Sequence, residues 1–470
     1  MRKLSLYTIL LALVALGSSG CKKGYFDLTD NPNLVKAPTL QGLLSTATHK
    51  SAINSYTVGT ITSVHVQYLA NPSAAASTDT YQIVDYTGTW DALFYAMADI
   101  FDMKQLARTR SSEYLGVANV LLSYNLTLAA DLWGSVPYSK AFDPTILAPG
   151  YDSQQDIYNA SLSLLDSAII ELSKTDATIK LATASDLIHK GARAAWLKTA
   201  YALKARMLNK VSKTAAYKPA DVLTALGSAY TSNTDDAGMA AFQTRNNWAG
   251  VAISNAGNTL GGWLSEQLVD HLNGVTYGIL DPRIAKITDK TVGGTYIGTV
   301  NGAGNRPPGN NTVKDECYIA ISSPWTSETA PILLVTNAEL KFIEAEAALA
   351  TDPTRAYNAY LAGIRANMDK LQVAPADRDL YLASTTVAVG AANLTKALIF
   401  KEKYVATYLN PEAWNDARRF DYQYKDFTLP VNAALPTFIR RLEYPTSERS
   451  ENGKNVPPQV PLSDRLWWDQ

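Results

Sequence analysis

In YNASLSLLDSAIIELS, the apolar residues Leu162, Leu165, Ile169 and Leu172 stand three, four and three positions apart. At 3.6 residues per turn that spacing lines one face of a helix, whereas a strand needs strict alternation. Trp196, Ala200, Leu203 and Met207 repeat the pattern, and so do Leu340, Ile343, Ala347 and Ala350. Thr336 and Glu339 precede the third stripe at the spacing of a capping box. Ala345, Ala347 and Ala348 leave room for a neighbouring helix to come close. A chain governed by this period folds as a mainly α protein. The stripes read as core rather than as a cofactor site, and they suggest helix-turn-helix pairs of the tetratricopeptide kind. The period itself is too degenerate to establish a repeat.

Two stretches leave this regime. Residues 71–89, NPSAAASTDTYQIVDYTGT, are small, polar and aromatic without helical period, and residues 289–330 hold GGTYIG and NGAGNRPPGNN. Gly, Asn and Pro in such density mark irregular chain. Long irregular stretches inside a folded protein serve binding when a rigid scaffold holds them. No low-complexity linker divides the chain, so residues 21–470 are expected to form one domain with elaborated loops.

The N-terminus bears on where the chain resides. Arg2 and Lys3 precede an eleven-residue apolar run, Leu6 to Leu16, and the small residues Gly17 to Gly20 lead to Cys21. Eleven residues fall short of the roughly 20 that span a bilayer as a helix, so residues 1–20 read as an export signal. A general signal peptidase would leave Cys21 a free thiol. A lipoprotein peptidase would cut after Gly20 and leave Cys21 acylated, and LGSSGC resembles its recognition box, with Ser18 in place of the usual Leu. We read Cys21 as the lipidated residue. Only Cys317 then remains, so no intramolecular disulfide is available. Removing Arg2 and Lys3 leaves 40 basic against 43 acidic residues, a net charge of -3, which disfavours nucleic acid as a partner. The most apolar later segment, YLGVANVLLSYNLTLAADLWG, is interrupted by Asn119, Ser123 and Asn125 and reads as a buried helix.

Catalytic signatures do not accumulate. His49, His65, His189 and His271 are far apart and unpaired at metal-ligand spacing. The mature chain has no H-E-x-x-H, G-x-S-x-G or Walker A sequence. DLTDNPN at 27–33 offers oxygen ligands but puts Pro32 where a calcium loop needs Gly, so it reads as a turn. Glu344 and Glu346 fall on nearly opposite sides of one helix, although an acid pair for glycoside hydrolysis need be close only in space. No cofactor, no metal and no enzymatic activity are expected. Aromatic residues with a polar edge stand out instead: 26 Tyr and 9 Trp against 10 Phe. Such rings stack on the C–H face of a sugar while their polar tips reach hydroxyls. The ligand-binding rings expected in the two irregular stretches are Tyr81, Tyr86, Tyr296 and Trp325; Trp90 opens a helix and is read as core.

Seven segments, in order, carry a resemblance. They are DLTDNPN, WDALFYAMADI at 90–100, AADLWGSVPYSKAF at 129–142, DPRIAKI at 281–287, TNAELKFIEAEAAL at 336–349, KEKYVATYLNPEAWNDARRFDY at 401–422 and RRLEYPTSERSENGKN at 440–455, with LWWD near the end. Behind a lipid cysteine this order resembles the SusD/RagB-type outer-membrane lipoproteins, particularly their second, more divergent branch. Ser135 departs from the acidic residue common there, and Phe420-Asp421-Tyr422 replaces a Gly-x-Pro turn. The resemblance implies about four tetratricopeptide-like helix pairs packed against an irregular, loop-rich half with minor β. It implies a lipid-anchored, surface-exposed protein of the outer membrane. Such a protein binds a glycan or oligosaccharide and passes it to a TonB-dependent transporter, with no catalysis. Binding of a peptide by the same architecture stays open, as does surface glycoside hydrolysis. The tandem Arg418 and Arg419 are expected to be structural, because a guanidinium fork ties several carbonyls or carboxylates together.

Overall fold

Ser111, Ser153, Asp352 and Thr395 each accept a backbone N–H from the first turn of the helix that follows, at 2.9–3.3 Å. Each side chain satisfies one of the donors that a helix start leaves without a partner. The structure is a computed structural model and describes residues 38–256, 261–306 and 315–470. Cys21 and DLTDNPN lie outside the described residues.

The helices, in chain order, begin with α1 (Leu40–His65), α2 (Thr87–Ala107), α3 (Ser112–Trp133) and α4 (Gln154–Ser173). α5 (Arg193–Lys210), α6 (Pro219–Leu226), α7 (Asn247–Ala256), α8 (Glu266–Asn273) and α9 (Ile284–Ile287) follow. Then come α10 (Asn337–Ala348), α11 (Pro353–Lys370), α12 (Pro375–Ala383), α13 (Lys396–Ala406), α14 (Glu412–Arg419) and α15 (Thr446–Glu451). Four consecutive pairs, α1/α2, α3/α4, α5/α6 and α10/α11, pack within themselves and each against the next. The tetratricopeptide-like stacking expected from the stripes is therefore present. Strand content is minor. β1 (Leu69–Ala70) pairs antiparallel with β3 (Trp263–Leu264), and β2 (Ala237–Met239) with β4 (Ile332–Val335).

α3 is the one described helix long and apolar enough to cross a membrane, yet 83% of its apolar window is buried inside the protein. It is a core helix, packed against α2 and α4. Gly134 ends it at φ 93°, a conformation that favours glycine, after Trp133. The third stripe is shorter than expected: α10 stops at Ala348, and Ala350 is exposed beyond it. Thr336 does cap α10 by accepting from Glu339 N–H at 3.2 Å. The Glu339 carboxylate does not close the box, because it turns to Arg206 of α5, at 2.6 and 2.7 Å.

That pair belongs to a charged seam between α5, α10, α13 and α14. Arg419 reaches Glu346 at 2.9 Å and also Asp416, while Lys403 bridges the same two carboxylates at 2.9 and 3.0 Å. Arg418 instead donates to the carbonyls of Asp131 and Arg440 at 2.8 and 2.7 Å, with its guanidinium 3.8 Å from the Trp414 ring centre. Both arginines are buried and tie the end of α14 to its neighbours. After them the chain turns through Asp421 and Tyr422 at φ 51° and 55°. Non-glycine residues hold that region only when their surroundings fix them. Here Tyr422 is fixed, because its hydroxyl accepts from Trp414 Nε1 at 2.7 Å and donates to the Ile439 carbonyl.

Candidate functional site

The two irregular stretches meet, and a buried carboxylate joins them. Asp79 accepts the N–H groups of Asn71 and Gly302 at 2.9 and 3.1 Å and the Asn301 side-chain amide at 3.3 Å. Ala75 N–H donates to the Gly302 carbonyl and Asn305 N–H to that of Pro72, both at 2.9 Å. Gly302 is required here. It sits at φ 79°, and a Cβ on it would lie 1.9 Å from the Val431 carbonyl oxygen. Loops pinned this way hold their side chains in fixed places. The first stretch is shorter than its composition suggested, since Thr87, Gly88 and Thr89 already belong to α2.

The four expected rings separate. Tyr81 is 1% exposed, held at φ 59° with its ring 6.0 Å from that of His65. Trp325 is 8% exposed, and its indole N–H is committed to the Tyr408 carbonyl at 3.0 Å. Both are corrected to core: a ring enclosed by protein has no face to offer a sugar. Tyr86 is half-buried ahead of α2, and burial pushes its phenol up to about 12. Tyr296 is half-buried and lines an open groove of about 1030 Å³. Trp90 is in the core, stacked on Phe94 at 4.6 Å.

The groove runs between the chain 273–296, which contains α9, and α12. Its walls are mostly aliphatic. Leu280 on one side and Leu380 on the other are 59% and 75% exposed. Polar groups are few but well spread. Lys290 Nζ lies 5.8 Å from the Tyr296 ring centre. Asn273 Nδ2 donates to Asp270 at 3.0 Å and to the Tyr296 carbonyl at 3.4 Å, holding that segment in place. Asp377, an exposed residue in the first turn of α12, lines the same space. A cleft of this size, lined by two tyrosines, Tyr296 and the buried Tyr381, and a handful of polar groups, fits a small organic ligand. Asp377, Lys290 and the two leucines escaped the sequence reading, because single exposed residues on short elements leave no periodic signal.

His65, His189 and His271 are held in contacts with neighbouring side chains. Burial first and the Arg418 charge second bring His65 down to about 3, and its ring lies 5.0 Å from that of Trp414. His271 falls to about 3, chiefly through burial, beside the Tyr404 ring at 5.1 Å. His189 falls to about 4 through burial, against nearby Asp186 and Asp235, and its Nε2 lies 2.7 Å from Thr199 Oγ1. Glu344 and Glu346 take different partners, Lys341 with Arg355 for one and Lys403 with Arg419 for the other. Among the described residues, no three His, Cys, Asp or Glu side chains converge to hold a metal ion.

A stack of helix pairs carrying a knitted loop region and an open groove defines a binding scaffold. A family model described as starch-binding and associating with the outer membrane matches residues 32–445, and the chain belongs to that SusD-like family. Solved structures agree on the fold. A chitin-binding SusD homologue from Flavobacterium johnsoniae is 21% identical, with a TM-score of 0.78 over 92% of this chain and 98% of its own. A SusD/RagB family protein from Bacteroides thetaiotaomicron VPI-5482 is 22% identical, with a TM-score of 0.75 over 92% and 99%. A SusD homologue from Bacteroides uniformis ATCC 8492 is 20% identical, again at 0.75 over 92% and 99%. No protein of curated function matches the sequence.

Proposed function

We propose that this protein captures an oligosaccharide at the cell surface and passes it to a TonB-dependent outer-membrane transporter, anchored by lipid on Cys21. The observation that carries this reading is the family match over residues 32–445, whose description joins starch binding to the outer membrane. The likeness in fold to a chitin-binding homologue supports a glycan as the ligand. The groove supplies a place: Tyr296 gives a ring for the C–H face of a sugar, and Lys290 and Asp377 give partners for its hydroxyls. The protein binds and does not cleave.

The test has two parts. Incubation with an oligosaccharide panel should deplete one or more members without releasing shorter products; new reducing ends would favour a hydrolase. Tyr296→Ala should weaken binding of the best glycan by roughly 5- to 30-fold, the effect of about 1–2 kcal/mol from a lost stacked ring. Unchanged affinity would place the ligand outside this groove.

A further inference from the structure

We propose that a second cavity, of about 180 Å³ and walled by α8 and the chain 426–431, binds an organic cation through N–H donors, as an alkylguanidinium or alkylammonium group. This space is distinct from the groove, although Val275 lines both, and a cation here is independent of glycan capture. Glu266, Asp270 and Asp426 line it, and no Lys, Arg or His side chain does. Glu266 is already paired with Arg306. The other two form no ion pair with a described residue: Asp270 accepts only the Asn273 amide, at 3.0 Å, and the Asp426 carboxylate accepts no hydrogen bond. Lys425, next in the chain, donates instead to the Thr276 carbonyl at 2.6 Å. Burial raises the Asp270 carboxyl above its ordinary value; the Asn273 amide and the Arg306 charge oppose this, and the Asp426 charge adds to it. Two like charges that act on each other and share one small space are relieved by a cation held there.

The neutral part of the wall also asks for donors. Gln267 is 8% exposed, lines the cavity and turns its amide nitrogen to the Lys425 carbonyl at 3.2 Å. That bond fixes which end of the amide is nitrogen, and Oε1 has no hydrogen-bond partner among the described residues. A buried acceptor without a partner is costly, so it favours a ligand that donates. Asn301 has both amide N–H groups committed, to the Leu69 carbonyl at 3.0 Å and Asp79 at 3.3 Å, and accepts the Ser265 hydroxyl at 2.6 Å. Size then decides the kind of cation. A hard divalent ion is held by several converging oxygens, yet no three His, Cys, Asp or Glu side chains converge among the described residues. A cavity of about 150 Å³ holds benzene, so this one takes a planar guanidinium or a short alkylammonium. The N–H groups of such a cation serve two carboxylates and an amide oxygen together.

Calorimetric titration of the full chain in detergent with methylguanidinium and with ethylammonium tests this, beside tetramethylammonium and calcium. One or both of the N–H cations should bind at a single saturable site. Tetramethylammonium, which carries charge without N–H, should bind at least tenfold more weakly. Asp426 is exposed and held at φ 60°, a conformation asparagine also accepts, so Asp426→Asn should keep the wild-type melting temperature. It should reduce affinity about tenfold, the loss of one charge-assisted hydrogen bond, and Asp270→Asn should do the same. No saturable binding of either N–H cation overturns the inference. So does tetramethylammonium binding as tightly, which would mean charge attraction alone, or calcium binding more tightly and displacing them, which would mean a metal site. Affinity unchanged in a folded Asp426→Asn variant overturns the assignment to this cavity. Each of these outcomes leaves glycan capture standing.

Discussion

Burial raises the Asp79 carboxyl to about 6, against the lowering effect of the Asn71 and Gly302 N–H groups and the Asn301 amide. Its ordinary value is 3.8. Between about pH 4 and pH 6 the folded chain keeps a proton there that the unfolded chain has released. Stability contributed by this group therefore falls as pH rises through that window and stays low above it. The displacement corresponds to on the order of 3 kcal/mol. Asp79→Asn keeps an oxygen for the two N–H donors and removes the charge. Urea unfolding of both chains at pH 4 and pH 7 should show the variant gaining on the wild type at pH 7, by a margin that is small at pH 4. An identical pH dependence in the two chains would show that the loop junction does not titrate. Single residues were the least legible scale. Trp325 stands among Ser, Pro and Thr, which suggests exposure, yet a carbonyl 83 positions away takes its indole N–H and encloses it. Such long-range partners have no local signature, whereas Trp90 could be placed in the core because it opens a helix.

Elements were far more legible, because periodicity is a local property that packing rarely overrules. The stripe in α4 is nevertheless wider than its four named residues. Leu162 and Ile169 are half-buried, while Ile157, Leu164, Leu165, Ala168 and Leu172 are buried, since α3 and α5 both press on this helix. The charged seam shows what the pattern could not reveal. Burial alone would raise Glu346, but Arg419 and Lys403 more than offset it and bring the carboxyl to about 2, below its ordinary 4.5. Its stabilisation is thus present above about pH 4.5 and lost as pH falls toward 2. Glu346→Gln should cost about 3 kcal/mol at pH 7, because two buried cations then share only Asp416. The penalty, followed by urea unfolding, should shrink below pH 4; a cost that is constant with pH would argue for lost packing instead. Close approach of helices is a second element-scale feature. A Cβ on Gly363 of α11 would lie 2.9 Å from the ring of Phe342 on α10, and that ring is fully buried. Gly363→Ala should destabilise by about 1–3 kcal/mol from overpacking, outweighing the gain in helix propensity. A rise in melting temperature would mean that the α10/α11 pair has slack.

At the scale of the whole molecule, order was the strongest sequence signal. Seven segments in sequence pointed to one architecture, and residues 32–445 match the family model. What order cannot convey is which loop surfaces remain open after folding, because Asp79 and Gly302 draw the two irregular stretches together and bury part of each. The proposed handover to a transporter depends on placement as much as on affinity. A chain tethered by Cys21 to the membrane that holds its partner meets it at a high effective concentration, so a modest interface suffices. Acyl chains supply about 0.8 kcal/mol per buried CH₂, and several together hold firmly, whereas Lys22 and Lys23 add little. Cys21→Ser should therefore move the protein from the membrane fraction to the soluble one. It should also abolish co-purification with a large β-barrel protein from membranes solubilised in mild detergent, while leaving glycan affinity in solution unchanged. A variant that partitions into detergent as the wild type does would remove the lipid anchor from the proposal. Release without loss of the barrel partner would show that the interface, not the tether, holds the complex.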